Sequence, residues 1–432
     1  MSHRQHINRP TQPLVPPPQL PFTDSSNSSR IKSLRTDRAI ETQSYFHGLL
    51  PRQDINALLK RDGDFLVRRS EAPDKTEKGV IEERYVISVC HGRENKHFCV
   101  NEMDNGMWKI QDKCYRTVPD LIDDYVRLKL PLTKSDPAIL KNAVHRQKWQ
   151  IAHAQLRLRE KLGSGAYADV YKAILKDSED GRHVMVAVKV ARERLFTKQE
   201  RNQFVQEARL LMQYDHPNVV PVIGIAALQS PLMIVLEYEP GGALDSVLRK
   251  RGHSMPPAKL TQYCLEVARG MAYLESQNCI HRDVATRNCL IGALGEVKIT
   301  DFGLAIDKKK LPSGAIVATD DEDLAMPIKW LAPEVIKKCM FTTKSDVWAF
   351  GILMWEVYSY GAEPYPKLSN RETIERVVHG YRMDKPHGAT PQKAYELMLQ
   401  CWADDPLKRP TFAKCAKLLT TLHKKLMDAE NF

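Results

Sequence analysis

At 432 residues the chain has room for two or three independently cored domains, and 43% hydrophobic with 27% charged residues is the composition of an ordinary globular protein. The balance of 64 Lys and Arg against 53 Asp and Glu gives +11, which suits nucleic acid, anionic lipid or phosphorylated partners alike; with no Arg/Lys run interleaved with aromatics, a nucleic-acid binder is not expected. Nine cysteines scattered singly, with no CxxC pair, argue against a disulfide framework and a zinc site and read as a reducing, cytoplasmic setting.

Residues 1–42 are rich in Pro, Ser, Gln and Arg without hydrophobic periodicity, and are expected to form a disordered tail. MSHRQ has neither the apolar core of a signal peptide nor the glycine at position two that myristoylation needs. Within the tail, TQPLVPPPQLPF should sample polyproline II; it is either a ligand for an SH3 or WW domain or a solvated segment, the commoner case for such composition. Over 45–135 the pattern becomes short strands between two helices. Residues 54–60 read as a helix, and FLVR and RYVISVC as strands. Thr117 can cap the second helix, with Pro119 in its first turn and Leu121, Ile122, Tyr125 and Val126 on one face. Phe65-Leu66-Val67-Arg68 puts a cation inside an apolar strand, which is costly unless an anion pairs with it, either a core carboxylate or a ligand.

A polar linker over 136–155 leads into a β-rich and then a helix-rich portion, 156–426, about the length of one bilobal domain. Gly163-Ser164-Gly165-Ala166-Tyr167-Ala168, with Val170 just after, is a turn whose backbone amides could approach phosphates, though alone it fits any tight hairpin. Val186-Ala187-Val188-Lys189 is an apolar strand ending in a lysine suited to nucleotide phosphates. The next helix opens on Thr197-Lys198-Gln199-Glu200, a capping-box pattern, and carries Phe204, Ala208 and Leu211 on its apolar face. On it Glu207 can point at Lys189; an ordinary surface carboxylate is the alternative. His281-Arg282-Asp283-Val284-Ala285-Thr286-Arg287-Asn288 supplies a base and a metal ligand, and Asp301-Phe302-Gly303 a second oxygen donor of the kind magnesium takes. Ala332-Pro333-Glu334 and Arg409 follow. The apolar run 347–360, which contains Glu356, is too short to span a bilayer; a buried helix is expected there, and no membrane insertion.

The ordered series of glycine-rich loop, VAVK, HRDVATRN, DFG and APE is identified as the protein-kinase signature. YFHG from Tyr45, Arg52, FLVR and His97-Phe98 resemble an SH2 domain over nearly its whole length. The fold class implied is α+β: an SH2 domain, an antiparallel sheet flanked by two helices, followed by a bilobal protein-kinase domain. Ala285 and Arg287 beyond the catalytic aspartate, and Pro327-Ile328-Lys329-Trp330, resemble tyrosine rather than serine/threonine kinases. HGLLPR…GDFLVR, QKWQIAHAQLRL, QEARLLMQYDHPNVV and the directly abutting order of the two domains are similar to the Fer/Fps subfamily of non-receptor tyrosine kinases, without its long N-terminal membrane-binding region, as in a short form.

That resemblance implies site residues. Lys189, paired with Glu207, would orient ATP; Asp283 would accept the substrate hydroxyl proton with Arg287 beside it; Asn288 and Asp301 would hold Mg2+, with Mn2+ as the alternative ion. Leu162, Gly163, Gly165, Val170, Ala187, Leu236, Glu237, Glu239 and Leu290 would line the nucleotide site, with Leu236 at its back and 237–239 as the hinge. Val170, Ala187 and Leu290 would form the apolar sandwich around the adenine ring, a placement with which plain core packing is compatible. Glu334 and Arg409 would pair beneath the activation segment. Arg68 would fork onto the phosphate of phosphotyrosine, Arg52 would meet the phosphate or the ring, and His97 would line the pocket. The implied partners are tyrosine-phosphorylated proteins and protein substrates, and the implied location is the cytoplasm, with recruitment to the cell cortex or junctions by docking.

The chain departs from these patterns at several positions. Tyr45 stands where SH2 domains usually have Trp, and residues 69–83 form a long charged loop. Ala168 replaces the third loop glycine, which keeps a second reading open: a catalytically weak kinase-fold adaptor acting through its SH2 domain. The segment 301–334 has no tyrosine; Ala318 takes the usual autophosphorylation position, followed by Thr319 and the acidic run Asp320-Asp321-Glu322-Asp323. That run either pairs with Arg282 or Arg287 in place of a phosphate or is a solvated turn. The short connector implies an SH2 domain resting on the upper lobe and supporting the Glu207 helix.

Overall fold

In a computed structural model the described residues are 31–32, 38–73, 81–165, 167–177, 181–192, 198–310, 326–386 and 390–430. The Pro-rich tail, Ala166, Thr197 of the capping-box pattern, and the acidic run with Ala318 and Thr319 lie outside them.

A short helix, Arg38–Thr42, buries Ile40 in the core of the first domain, so the end of the segment 1–42 expected to be disordered is ordered. The domain then runs through helix α1 (Arg52–Leu58), strands β1 (Asp64–Pro73), β2 (Ile81–His91) and β3 (Glu94–Glu102), and helix α2 (Val118–Arg127). Helix α1 starts two residues before the sequence pattern suggested, directly after Pro51, whose ψ of 151° turns the chain into it. The three strands pair antiparallel in order, with Arg68 opposite Val86 and Ser88 opposite His97. Strand alternation sends Phe65, Val67, Tyr85, Ile87, Val89 and Val100 to one face. There they form a core with Leu121, Ile122 and Tyr125 of α2, which Thr117 caps through its side chain as expected. The opposite face, carrying Leu66, Arg68 and Ser88, lies toward α1. Asn142–Ala143 adds a short parallel pairing to β1, and Ala138 and Leu140 are buried in the same core, so the polar connector is drawn into this domain.

The second domain opens with five antiparallel strands, β4 (Leu156–Ser164), β5 (Ala168–Lys176), β6 (His183–Ala191), β7 (Val222–Ala226) and β8 (Met233–Glu237), in spatial order β7-β8-β6-β5-β4. Helix α3 (Lys198–Leu211) packs Phe204, Val205, Ala208 and Leu211 into this lobe. A helical lobe follows, built around α4 (Pro257–Ser276), α5 (Thr343–Tyr358) and α6 (Phe412–Glu430). In α5 every residue from Ser345 to Tyr358 is buried, as a continuous apolar run requires. Among the described residues no helix is long and apolar enough to cross a membrane.

The two domains touch at defined points. Leu49 N–H donates to the Ala227 carbonyl at 2.7 Å. Gly48 sits at φ +62°, and a Cβ there would lie 2.2 Å from that same oxygen. Arg209 on α3 forks onto the Asp54 carboxylate of α1, with Nη2 to Oδ2 at 2.6 Å. The connector adds Ile151 N–H to Ile225 O at 2.9 Å and Ile225 N–H to Trp149 O at 2.8 Å. His47 fastens the connector from below: Nε2 donates to the Val144 carbonyl at 2.9 Å, and Nδ1 accepts from Gln150 at 3.1 Å. Burial lowers the His47 pKa from 6.5 to about 4, so the unfolded chain binds this proton and the folded chain refuses it between those values. Stability is therefore expected to fall as pH drops from 6.5 towards 4, by up to about 1.4 kcal/mol per pH unit from this group. Urea unfolding at pH 5 and pH 7 should show a smaller loss in His47→Gln than in the parent chain; equal losses would remove His47 as the cause.

Candidate active site and anion pocket

Arg68, in the middle of β1, is only 7% exposed. Among the described residues no carboxylate pairs with it; its one hydrogen bond runs from Nε to Ser88 Oγ at 3.3 Å. Ser88 Oγ also meets His97 Nδ1 at 2.9 Å, so this buried hydroxyl holds both side chains on one face of the sheet. Burial, with Arg52 and Arg68 beside it, pushes His97 down to about 4, so the ring is neutral and the cations are the two arginines. Arg52, exposed at the start of α1, raises the positive potential at Arg68. A core salt bridge at Arg68 is thus replaced by a cation with its guanidinium unmatched, a site that selects an anion. Strand alternation made Arg68 legible in the sequence; Ser88, a lone hydroxyl in an apolar strand, gave no such signal.

The larger cleft lies between the lobes. Lys189, near the end of β6, reaches Glu207 of α3 at 2.7 and 2.9 Å and Asp301 at 3.2 Å. Burial opposes the lysine's charge, but Glu207 and Asp301 outweigh it and hold the ammonium above its ordinary pKa. The same ammonium holds the Asp301 carboxyl below its usual range. Asp283 accepts from Arg287 on one oxygen and from Asn288 Nδ2 at 2.7 Å on the other. The Arg287 guanidinium in turn stacks over Trp330, 4.2 Å from the ring centre. Thr300 N–H donates to the Asn288 carbonyl at 2.9 Å, which ties the Asn288 turn to the segment carrying Asp301. Arg282 and Asp301 both adopt positive φ, +66° and +63°, strained conformations of a kind concentrated at functional sites.

Buried carboxylates anchor this floor. Asp346 of α5 accepts the backbone N–H groups of His281 and Arg282 at 2.8 and 2.9 Å. Glu356 accepts from the Thr286 hydroxyl at 2.6 Å and from the Trp330 indole at 3.0 Å. Arg409 forks onto Glu334 at 2.7 and 2.8 Å, the pair expected from the sequence. Asp346 did not stand out in the sequence, because its partners are backbone groups; Glu356 was visible as a charge in an apolar run, but its distant partners were not.

Around the nucleotide side, Ala187 and Leu236 face each other across β6 and β8, and Lys189 is in register with Val170. Val170 and Leu290 are half-buried and pack against the lobe core, while Leu162 stays 46% exposed at the rim. A Cβ at Gly163 would meet nothing within 4 Å, and one at Gly165 would meet only the Ala168 oxygen at 3.4 Å. The glycines therefore leave a cradle open above the strand, the shape a phosphate chain needs. Glu239, in the segment 237–239 expected to act as the hinge, pairs its side chain with Lys298 at 2.8 Å. Ala168 is 3% exposed and lies opposite Ala191, so its methyl is absorbed by the lobe core. Arg192 adds a clamp the motifs did not reveal: its guanidinium holds Asp169 and Ser164, and its N–H donates to Tyr167 O at 3.0 Å.

Asn288 and Asp301 offer oxygen donors on one side of the cleft, and among the described residues no group of three or more His, Cys, Asp or Glu forms a self-sufficient metal site. Two protein donors completed by substrate phosphates is the arrangement a hard divalent cation accepts, so the residues fit such an ion.

A glycine-lined cradle, a Lys–Glu pair and a carboxylate held from both sides in one interlobe cleft form the arrangement of a protein kinase, and a second domain carrying the unmatched Arg68 docks on its upper lobe. Residues 156–419 match the family of protein tyrosine and serine/threonine kinases, and residues 45–125 match the SH2 domain. The chain is 39% identical to Fer-related kinase 1 of Caenorhabditis elegans, over 90% of this chain and 94% of that protein. It is 37% identical to tyrosine-protein kinase Fer of Rattus norvegicus and 36% identical to the transforming protein Fps of avian sarcoma virus strain PRCII, over 90% and 89% of this chain. The chain belongs to the Fer/Fps family of tyrosine kinases that carry an SH2 domain. It spans 45% of the length of the rat Fer kinase and 68% of the viral Fps protein. The family uses ATP and a divalent metal ion.

Proposed function

We propose that this chain is a non-receptor protein-tyrosine kinase that transfers the γ-phosphate of ATP to protein tyrosines, targeted by phosphotyrosine binding at its SH2 domain. The observation that carries the enzyme reading is the closed Lys189–Glu207 pair, 2.7 Å apart, facing a catalytic loop in which Asp283 is held from both sides. Lys189 grips the α and β phosphates, and Leu162, Val170, Ala187, Leu236 and Leu290 enclose the base against the backbone of Glu237 to Glu239. Asp283 accepts the proton of the tyrosine hydroxyl as its oxygen attacks the γ-phosphorus, and the bond from that phosphorus to the bridging oxygen breaks. Arg287, braced on Trp330, fixes the carboxylate's direction. Mg2+, with Mn2+ able to replace it, would sit between Asn288 and Asp301 and neutralise charge on the phosphate oxygens. Contact between α1 and the helix of Glu207 supports a chain whose phosphopeptide occupancy favours the closed Lys189–Glu207 pair. The protein is read as cytoplasmic and brought to the cell cortex or junctions by phosphotyrosine partners, with the Pro-rich segment as an added SH3 or WW ligand.

Incubation with ATP, Mg2+ and a Glu-Tyr copolymer tests the reaction: incorporation on tyrosine is expected, and none would leave an adaptor. The binding half has its own test. Arg68→Lys keeps the charge but loses the fork, and its affinity for a phosphotyrosine peptide is expected to fall about 10-fold or more. Titration calorimetry giving parental affinity would remove Arg68 from the role.

A further inference from the structure

A cavity of about 170 Å³ lies where the two domains meet, and its wall is shared between them. Arg52, Arg68 and Arg69 contribute from the first domain, and Arg201, Asn202, Gln206 and Arg209 from α3. None of its lining residues is acidic. Of the cations, Arg209 forks onto Asp54 and Arg69 pairs with Glu41 at 2.7 Å. Arg68 has no carboxylate partner among the described residues; it is 7% exposed and bonded through Nε alone. A buried, unmatched guanidinium in a cavity walled by further cations requires an anion.

We propose that this pocket is completed across the domain boundary, with Arg201 and Gln206 of the kinase helix touching the phosphotyrosine side chain held by Arg68. The inference rests on reading Arg68 as the phosphate-binding residue. Helix geometry supplies the reach. Gln206 and Arg209 lie three residues apart and Asn202 and Gln206 four, so all three share one face of α3. The core residues Phe204, Val205 and Ala208 occupy the other. Anchoring Arg209 on Asp54 fixes that face over the first domain and fixes Arg201 and Gln206 over the cavity. A phosphate dianion presents three strongly accepting oxygens. Arg68, with Nε spent on Ser88, donates from its two Nη groups. The Gln206 amide and the Arg201 guanidinium add donors from the outer side, the second of them charge-assisted. Gln206 directly precedes Glu207, so the segment that reads the ligand is also the one that holds the nucleotide lysine's partner.

The test uses the full chain, with a fluorescent phosphotyrosine peptide followed by anisotropy and phenyl phosphate as a competitor lacking all peptide contacts. The double variant Arg201→Ala/Gln206→Ala is expected to raise Kd about 5- to 10-fold for the peptide, and by a similar factor for phenyl phosphate. Arg201→Lys, which keeps a cation at the rim, should lose less than Arg201→Ala. Kd values within twofold of the parent for the double variant, with Arg68→Ala abolishing binding, would overturn the shared pocket and leave the SH2 reading standing. If Arg68→Ala binds like the parent, the reading of Arg68 fails and the shared pocket fails with it.

Discussion

Asp283→Asn is expected to lower kcat for tyrosine phosphorylation by about 10³-fold while the KM for ATP moves by less than about threefold. The asymmetry follows from what each oxygen of Asp283 meets. Arg287 donates to one and the Asn288 amide to the other, and neither of these donors is Lys189 or Glu207, the pair assigned to ATP. An asparagine can accept from one of the two donors but turns its own NH2 group at the second, and it has no basic oxygen for the substrate proton. The nucleotide side of the cleft keeps Lys189, Glu207 and Asp301 untouched, so binding should persist. Steady-state kinetics on the copolymer, with ATP varied, separates the two quantities. A fall of less than tenfold in kcat would mean that Asp283 positions rather than takes the proton. A parallel rise in the KM for ATP would mean that the loop has collapsed.

The parts of this protein that could be read in its sequence are those whose chemistry demands a fixed local spacing. HRDVATRN puts the expected base, arginine and metal donor within six residues, and Arg287 and Asn288, both in the 3-10 turn Thr286–Asn288 just after Asp283, donate to its carboxylate. Arg68 was legible because an apolar strand cannot hide a cation without a reason. Glu207 was legible because Lys189 needs a counter-charge. The contacts between distant residues left no such trace: Arg209 and Asp54 are 155 positions apart and look like ordinary surface charges on two helices. The effect of Ala168 also depended on the fold. A methyl beside the phosphates would obstruct them, whereas a methyl opposite Ala191 fills the lobe core, and only the strand register distinguishes the two. Ser88, Asp346 and Glu356 show the same limit, since each acts by accepting hydrogen bonds from groups that no local pattern predicts.

Gly48→Val is expected to reduce kcat/KM by about 10-fold or more without any change to the cleft itself, within the usual range of coupling between separate sites. The glycine holds φ +62°, a region closed to β-branched side chains, and its missing Cβ would stand 2.2 Å from the Ala227 carbonyl oxygen and 2.4 Å from Leu228 Cα. Both obstructing atoms are backbone of the other domain, so the clash cannot be relieved by a rotamer change, and the domains must part. Parting them breaks the Leu49–Ala227 hydrogen bond and draws Asp54 away from Arg209, which is the brace on the outer face of α3. Glu207 lies on that helix, two residues before Arg209, so the loss reaches Lys189 through one rigid element. Asp54→Asn should act in the same direction with a smaller effect, because it weakens the ion pair and leaves the Gly48 contact whole. Turnover and limited proteolysis of the connector, read together, decide the matter. Domains that have parted expose residues 145–155 to cleavage as activity falls, whereas a Gly48→Val chain with an intact connector and parental kcat/KM would show that the docked interface does not support α3.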